Sequence, residues 1–366
     1  MDIRVERLAH LLVDYSVDVQ PGERVLIRSS SVAAPLIRAV YEQVLEHGGH
    51  PMVHVSLPGL EEIFYETADK TQLTFVDPVE EQFYEEFDVL IAIRAPSNTR
   101  ALSNIDPEKQ RIRSRARHYL MERYMQRSAE GELKWTGTLY PTFANAQEAD
   151  MSLRRYEDFV YSTCYCDRKD PVDEWLRIHE EQQRIIDWLE GRDRVEVRGP
   201  NADLTLSIAG RTFINSDGHH NMPSGEIFTG PVEDSVNGWV RFTYPSIAGG
   251  REVEGIELWF EDGEVVKASA KKNEDYLMKM LDTDERSRYL GEFAIGTNYQ
   301  IQQFTKNILF DEKIGGSFHM AIGAGYPETG SKNRSAVHWD MICDMQEGGE
   351  ILVDGELLYR DGAFQI

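Results

Sequence analysis

The stretch D-V-L-I-A-I-R, residues 88–94, reads as a buried β-strand, with five apolar residues in a row between an acidic and a basic residue. Such a continuous apolar run is typical of a strand that is covered on both faces. Shorter strand signals come before it at residues 24–28 and 52–57, and the spacing of Leu36 and Val40 between them is helical. Strands that alternate with helices at these lengths predict an open α/β domain with a mostly parallel sheet.

The pattern changes after about residue 195, where short strands with alternating apolar and polar residues follow one another. The turn sequences E-D-G (261–263) and D-G (354–355) predict β-hairpins, because glycine adopts the positive φ that these turns need. We therefore predict a β-rich α+β second domain. We place the N-terminal α/β domain at residues 1–196 and the C-terminal domain, which carries the candidate metal site, at residues 197–366.

The chain is strongly acidic, with 39 basic and 63 acidic residues and a formal net charge of −24. This charge argues against bulk nucleic acid or an anionic membrane surface as a partner. The chain has three cysteines, which is too few for a disulfide scaffold and favours a reducing compartment. Residues 1–10 lack the apolar core of a signal peptide, and no window resembles a membrane span. We therefore expect a cytoplasmic protein.

The segment V-H-W-D (337–340) is the clearest candidate for a metal site. Residues two apart on a strand point to the same face, so His338 and Asp340 project together while Trp339 points away. One imidazole and one carboxylate on a shared face suit a divalent ion such as zinc, cobalt or manganese. A hydrogen-bonded His–Asp pair without a metal is the alternative interpretation.

Three further polar residues have apolar neighbours in the sequence and lie within glycine-rich segments. Glu226 precedes Ile-Phe, Glu292 precedes Phe-Ala-Ile, and His319 lies between Phe318 and Met320. A carboxylate that is buried without a partner is costly, so each glutamate should meet a base, bind a metal or end an exposed strand. Together with His338 and Asp340, these residues supply the ligands that a two-metal hydrolase uses.

Other kinds of active site lack their motifs in this sequence. No G-x-S-x-G elbow surrounds a serine, and neither a Walker A motif nor a G-x-G-x-x-G fingerprint follows the first strand. Cys164 and Cys166 form C-x-C without a second pair, which is typical of core positions. The sequence thus favours metal chemistry over a serine hydrolase or a nucleotide site.

Several segments of the second half also match motifs of a known family. They are N-M-P-S-G-E-I-F-T-G-P (221–231), G-E-F-A-I-G-T-N (291–298), L-F-D-E-K-I-G-G-S-F-H-M-A-I-G (309–323), Y-P-E-T-G (326–330) and H-W-D-M-I (338–342). With these motifs, and with weaker similarity at residues 140–152, the chain resembles the M29 family of metallo-aminopeptidases over essentially its whole length. The resemblance implies an α/β N-terminal domain, a β-rich C-terminal domain and a homodimer.

The resemblance also implies the site residues. The family's metal ligands fall on Glu226, Glu292, His319, His338 and Asp340, and the tyrosine beside the metals falls on Tyr326. Another carboxylate of the family site falls near Glu312. The implied cofactor is a pair of divalent ions (Zn²⁺, Co²⁺, Mn²⁺ or Mg²⁺).

The activity that the resemblance implies is removal of N-terminal amino acids from peptides with a free N-terminus. Glu226 or Asp340 would bridge the ions, Glu292 or Glu312 would accept the proton of the attacking water, and Tyr326 would donate to the oxyanion. Two alternatives stay open on the sequence. One is another metal-dependent amide or ester hydrolase with the same ligands, and the other is a non-enzymatic α/β binding protein.

Overall fold

The protein is described here from a computed structural model that covers residues 2–366. Its helices, in chain order, are α1 Ile3–His10, α2 Ala34–Glu46, α3 Leu60–Thr67, α4 Lys70–Thr74, α5 Pro78–Glu85, α6 Pro107–Ala116, α7 His118–Ala129, α8 Phe143–Glu148, α9 Leu153–Thr163, α10 Pro171–Leu189, α11 Glu274–Leu281 and α12 Ile308–Asp311. A π-helical segment at Leu11–Ser16 continues α1, and short 3₁₀ turns form at Ser31–Ala33 and Pro327–Thr329.

The strands are short and numerous in the second half of the chain. They are β1 Arg24–Ser30, β2 His50–Ser56, β3 Val89–Arg94, β4 Lys134–Leu139, β5 Arg194–Gly199, β6 Ala202–Ser207, β7 Ile214–Ser216, β8 Asn221–Met222, β9 Glu226–Thr229, β10 Asn237–Arg241, β11 Ser246–Ala248, β12 Arg251–Val253, β13 Glu257–Glu261, β14 Glu264–Ser269, β15 Leu290–Gly296, β16 Ser317–Gly323, β17 His338–Asp344, β18 Glu350–Val353, β19 Glu356–Arg360 and β20 Ala363–Phe364.

The first half of the chain builds a five-stranded sheet in the order β2-β1-β3-β4-β8, in which every neighbouring pair is parallel. The strand β3, which the sequence analysis started from, lies in the middle of this sheet and is buried at Val89, Leu90 and Ile91. The strand signals at residues 24–28 and 52–57 correspond to β1 and β2. The prediction of a mostly parallel sheet is confirmed.

The second half of the chain builds two larger antiparallel sheets and a small hairpin, β11-β12. One sheet has the order β14-β13-β10-β6-β5-β18-β19-β20, and the other has the order β17-β16-β15-β9-β7. The predicted hairpins join β13 to β14 and β18 to β19, and the turn pairs Asp262-Gly263 and Asp354-Gly355 all have positive φ. The β-rich character of this half is confirmed.

The chain divides into two compact units, residues 1–174 with 218–223 and residues 175–217 with 224–366. The boundary that the sequence predicted, between residues 196 and 197, falls inside β5 of the second unit. The second unit begins earlier than predicted, at residue 175, because Ile185 and Leu189 of α10 pack into the core of the antiparallel sheets. The short strand β8 returns to the parallel sheet of the first unit, so the motif at 221–231 contributes to both units.

The two faces of the sheet β17-β16-β15-β9-β7 have opposite chemical characters. One face contributes Ile227, Phe293, Phe318, Met320 and Met341 to a large buried apolar cluster. Because side chains alternate along a strand, the intervening residues lie on the other face. The residues on this second face are Glu226, Phe228, Glu292, Ala294, His319, Ala321, His338, Asp340 and Ile342.

In residues 2–366, no helix is both long enough and apolar enough to cross a bilayer.

The apolar face should carry the stability of this sheet. Phe318 is fully buried there and contacts Phe293 at a ring-centroid distance of 6.0 Å. We expect Phe318→Ala to lower the free energy of unfolding of the metal-free protein by about 3–5 kcal/mol in urea denaturation. Val266→Ala, at an exposed position of β14, should change it by less than about 0.5 kcal/mol. A similar cost for both variants would contradict this division of the sheet.

Candidate metal centre

Pairing between strands aligns the candidate site residues on one face of the sheet. Asp340 of β17 lies opposite Ala321 of β16, and β15 places Glu292 on the other side of Ala321. His319 lies two pairs further along β16, on the same face, and Glu226 of β9 pairs with Gly296 at the end of β15. Four strands therefore present their polar side chains to one region of the sheet surface.

Three of these side chains form a tight buried group. The Nε2 atom of His319 lies 3.1 Å from Oε1 of Glu292 and 3.4 Å from Oε2 of Glu226. One potential ligand atom from each residue falls within 4.8 Å of the others. Glu226 and Glu292 are 6% and 5% exposed, and His319 is fully buried. Two carboxylates and an imidazole at this spacing are a suitable donor set for a divalent ion.

A β-bulge sets the position of Glu292. The pairing of β15 with β16 shifts between Leu290 and Glu292, which leaves Gly291 as the extra residue. A Cβ atom at position 291 would lie 2.0 Å from the carbonyl oxygen of Ala324, so only glycine allows this approach. The glycine before Glu292 in the sequence motif thus has a steric function.

His338 and Asp340 form a separate pair on the edge strand β17. Nε2 of His338 lies 3.6 Å from Oδ2 of Asp340, and Nδ1 lies 2.8 Å from the carbonyl oxygen of Ala324. A carbonyl can only accept, so Nδ1–H donates and Nε2 is left to face the carboxylate. Metal-binding histidines commonly use the second ring nitrogen in this way, which fixes the orientation of the ring. The tight group of three does not include this pair.

Tyr326 lies beside this pair, just before the 3₁₀ turn Pro327–Thr329. Its ring packs against His338 and against Phe228 of β9, with a ring-centroid distance of 5.5 Å in both cases. The structure thus brings Tyr326 to the site face, as the sequence motif suggested.

Sequence reasoning missed one charged member of the site, Lys313. This lysine follows α12, is fully buried, and places Nζ 3.7 Å from Oε1 of Glu226. It also donates a hydrogen bond to the carboxylate of Glu312. Lysine is among the residues least often buried, so the residue type did not predict that Lys313 belongs to the site. Its position in the motif at 309–323, next to Glu312 and shortly before His319, was the available indication.

Burial and mutual charge shift the proton affinities of the site. Burial raises the pKa of Glu226 to about 7, although the charge of Lys313 opposes this shift. Burial likewise raises the pKa of Asp340 to about 6 against the charge of His338. For His319, burial acts against the charged form, but the contact with Glu292 and the charge of Glu226 outweigh it and raise the pKa to about 9. Metal ions would therefore compete with protons here.

Three buried polar atoms of the candidate ligands lack a hydrogen-bond partner. They are Oε2 of Glu226, Nδ1 of His319 and Oδ1 of Asp340. Buried polar atoms are nearly always satisfied, and an unsatisfied one requires an explanation. A bound cation explains the carboxylate oxygens, so the residues fit a divalent metal. The assignment of Glu226, Glu292, His319, His338 and Asp340 as its ligands stays a prediction.

Comparison with known proteins identifies the family of this chain. The family model for thermophilic metalloproteases (M29) matches residues 1–364. The chain belongs to the M29 family. This confirms the resemblance that the motifs at 221–231, 291–298 and 309–323 indicated.

Curated M29-like relatives match the chain over nearly its full length. Aminopeptidase 2 of Geobacillus stearothermophilus is 26% identical, with 99% of this chain and 98% of the relative covered. Aminopeptidase AmpS of Bacillus subtilis is 27% identical, with 98% of both covered. Aminopeptidase T of Thermus thermophilus is 25% identical, with 98% of this chain and 95% of the relative covered.

Solved structures show the same fold. Wild-type AmpT from Thermus thermophilus superposes with a TM-score of 0.87 at 23% identity, with 99% of each chain covered. A 2,5-dihydroxypyridine dioxygenase from Pseudomonas putida KT2440 has a TM-score of 0.57 at 13% identity, with 98% of this chain and 96% of that one covered. One fold thus accompanies two different named activities, so the activity has to be argued from the site.

Ala321 leaves room between the carboxylates on the site face. It is fully buried and lies between Asp340 and Glu292 in the strand pairing. We expect Ala321→Leu to fill this space and to abolish tight binding of zinc, measured as metal per chain by atomic emission. Met320→Leu, on the opposite face, conserves volume and should retain the metal. If Ala321→Leu binds as much metal as the wild type, the ions do not lie between these carboxylates.

Proposed function

We propose that this protein is an aminopeptidase that uses two divalent ions to activate the water that attacks the first peptide bond. The observation that carries this proposal is the buried group of Glu226, Glu292 and His319 beside the pair His338–Asp340 on one sheet face. Membership of the M29 metalloprotease family and aminopeptidase relatives over the full chain support it.

The candidate ligands divide naturally between two ions. Glu226, Glu292 and His319 would hold one ion, and His338 and Asp340 would contribute to the other, with Glu226 or Asp340 shared between them. Nitrogen and oxygen donors of this kind accept Zn²⁺, Co²⁺, Mn²⁺ or Mg²⁺. Bound ions would polarise the scissile carbonyl and lower the pKa of water to about 7.

The protein's own side chains supply the donors and acceptors that peptide hydrolysis needs. Burial and the nearby carboxylates Glu292 and Asp340 raise the pKa of the Tyr326 phenol, which therefore keeps its proton at neutral pH. The phenol can donate to a carbonyl oxygen that gains negative charge in the transition state. Glu292 or Glu312 can accept a proton from water and return it to the leaving amine.

A free N-terminus gives the substrate a group that this site can hold. The nitrogen of an unblocked α-amino group can bind a divalent ion or pair with a nearby carboxylate. A blocked N-terminus would lose this interaction, because its nitrogen belongs to an amide. We therefore propose unblocked peptides as substrates.

We further propose that the protein is a homodimer in the cytoplasm. The dimer rests on the family resemblance. The reducing compartment rests on the cysteine content, because three cysteines are too few for a disulfide scaffold. Sedimentation velocity on the purified protein gives the mass that decides between a dimer and a monomer.

The activity can be tested with a leucyl chromogenic amide. We expect hydrolysis that EDTA abolishes and that added cobalt, zinc, manganese or magnesium restores. The same amide with an acetylated α-amino group is the matched control and should not be cleaved. Cleavage of the blocked amide would favour a different amide or ester hydrolase, and no cleavage with any metal would contradict the proposal.

The role of Glu226 can be tested by removing its charge and keeping its shape. We expect Glu226→Gln to weaken metal binding by more than about 100-fold, because the loss of an outer-shell partner alone costs about 10–100-fold. Hydrolysis of the leucyl amide should fall with it, while the circular dichroism spectrum stays unchanged. Glu261→Gln, at the exposed last residue of β13, is the control and should behave as the wild type. Normal turnover by Glu226→Gln would refute the assignment.

A further inference from the structure

A buried lysine next to the candidate metal ligands needs an explanation. Lys313 is fully buried, and within residues 2–366 every other lysine is at least partly exposed. A buried ammonium group is costly unless anions surround it closely. The fold nevertheless places this one on the side of the sheet where divalent cations are expected.

The backbone around Lys313 is fixed from two sides. Its N–H donates to the carbonyl of Phe310 at 3.0 Å, and its carbonyl accepts from the N–H of Asn298 at 3.1 Å. The side chain of Asn298 in turn donates to the carbonyl of Ser224 at 2.9 Å, two residues before Glu226. The chain therefore ties Lys313 to the strand that carries one of the carboxylates it faces.

Gly296 allows this close approach. It pairs with Glu226, and a Cβ atom at position 296 would lie 2.2 Å from the carbonyl oxygen of Ile314, the residue after Lys313. The lysine segment thus packs directly on the end of β15. These contacts fix the backbone of Lys313, and its complete burial restricts where the side chain can place the ammonium group.

The ammonium group lies between two carboxylates, one that is a candidate metal ligand and one that is more exposed. Nζ lies 3.7 Å from Oε1 of Glu226, while Oε2 of Glu226 turns toward His319. The same Nζ donates to Glu312, whose side chain is 17% exposed. The two oxygens of Glu226 thus have different neighbours. Oε1 faces Lys313, and Oε2 faces His319 of the candidate ligand group.

We propose that Lys313 is a positioning residue of the metal centre, a permanent cation that holds the carboxylates of Glu226 and Glu312 in the orientation that receives divalent ions. This inference rests on the proposed function, because it assigns Glu226 to the metal. Lys313 acts through the two glutamates that it contacts, as outer-shell partners of metal ligands do.

Two other functions of Lys313 make different predictions. A lysine that served only as a structural ion pair would affect stability but not the affinity of the folded protein for metal. A lysine that competed with the metal for Glu226 would weaken metal binding, so its removal would tighten it. A positioning lysine strengthens metal binding, so its removal weakens it.

The test compares the zinc and manganese affinities of the full-length wild type with those of Lys313→Met and Lys313→Arg by competition with a chromogenic chelator. We expect the Kd of Lys313→Met to rise about 10–100-fold. Lys313→Arg retains the cation and should recover most of the loss. Lys306→Met is the matched control, because Lys306 lies in the same segment but pairs with Glu252 at 3.1 Å, and its Kd should stay unchanged.

The outcomes separate this inference from the proposed function. A Kd for Lys313→Met that rises less than tenfold, or that falls, overturns the positioning role even if the wild type cleaves the leucyl amide. An arginine variant as weak as the methionine variant shows that the cation is not what matters and also overturns it. If the wild type binds metal but cleaves no unblocked amide, the proposed function fails while the affinities still decide the role of Lys313.

Lys313→Met could fail to fold, since it leaves Glu312 without its partner. In that case Glu312→Gln and the double variant Glu312→Gln/Lys313→Met replace it, because both remove the unpaired charge of Glu312. We expect the double variant to bind zinc at least tenfold more weakly than Glu312→Gln alone. Equal affinities in this pair would overturn the inference.

Discussion

The burial of several carboxylates together is the constraint on which this site depends. Glu226 and Glu292 are almost fully buried, and the side chain of Asp340 is only 12% exposed. An ionised carboxylate is costly to bury, and like charges at close range add to the cost. The site therefore requires cations. The chain supplies Lys313, and His319 can carry a proton as long as no metal occupies the site. Divalent ions would supply the rest of the positive charge, which explains why unsatisfied carboxylate oxygens remain.

The fold meets this constraint by giving one sheet two functions. The apolar face of β15, β16 and β17 belongs to a core that extends to the eight-stranded sheet and to α10 and α11. The apolar packing that stabilises this sheet thus lies on one of its two faces. The polar face can then carry mutually repelling groups without the sheet separating. The small residues Ala294 and Ala321 lie on that face beside the candidate ligands and are fully buried.

The sequence predicted most of this arrangement wherever a simple period applied. A period of two placed His338 and Asp340 on one face, and the continuous apolar run at 88–94 predicted the buried strand β3. The cost of a buried carboxylate correctly marked Glu226 and Glu292 as residues in need of a partner. Periodicity could not predict Lys313, because its burial depends on contacts with Asn298 and Gly296 that are distant in sequence. It also gave no sign that Asn221–Met222 would join the parallel sheet, since a two-residue strand has no pattern of its own.

The different chemistry of the two sheet faces restricts where insertions and deletions can occur in this protein. Deletion or insertion of one codon within β16 would rotate every later side chain of that strand to the opposite face. His319 would enter the core and Phe318 or Met320 would enter the site, so stability and activity would be lost in a single event. Substitutions can be tolerated one face at a time, but an indel of one codon affects both faces at once. Among related genes, length variation should therefore be confined to the segments between these strands, such as residues 324–337, while β15, β16 and β17 keep a constant length.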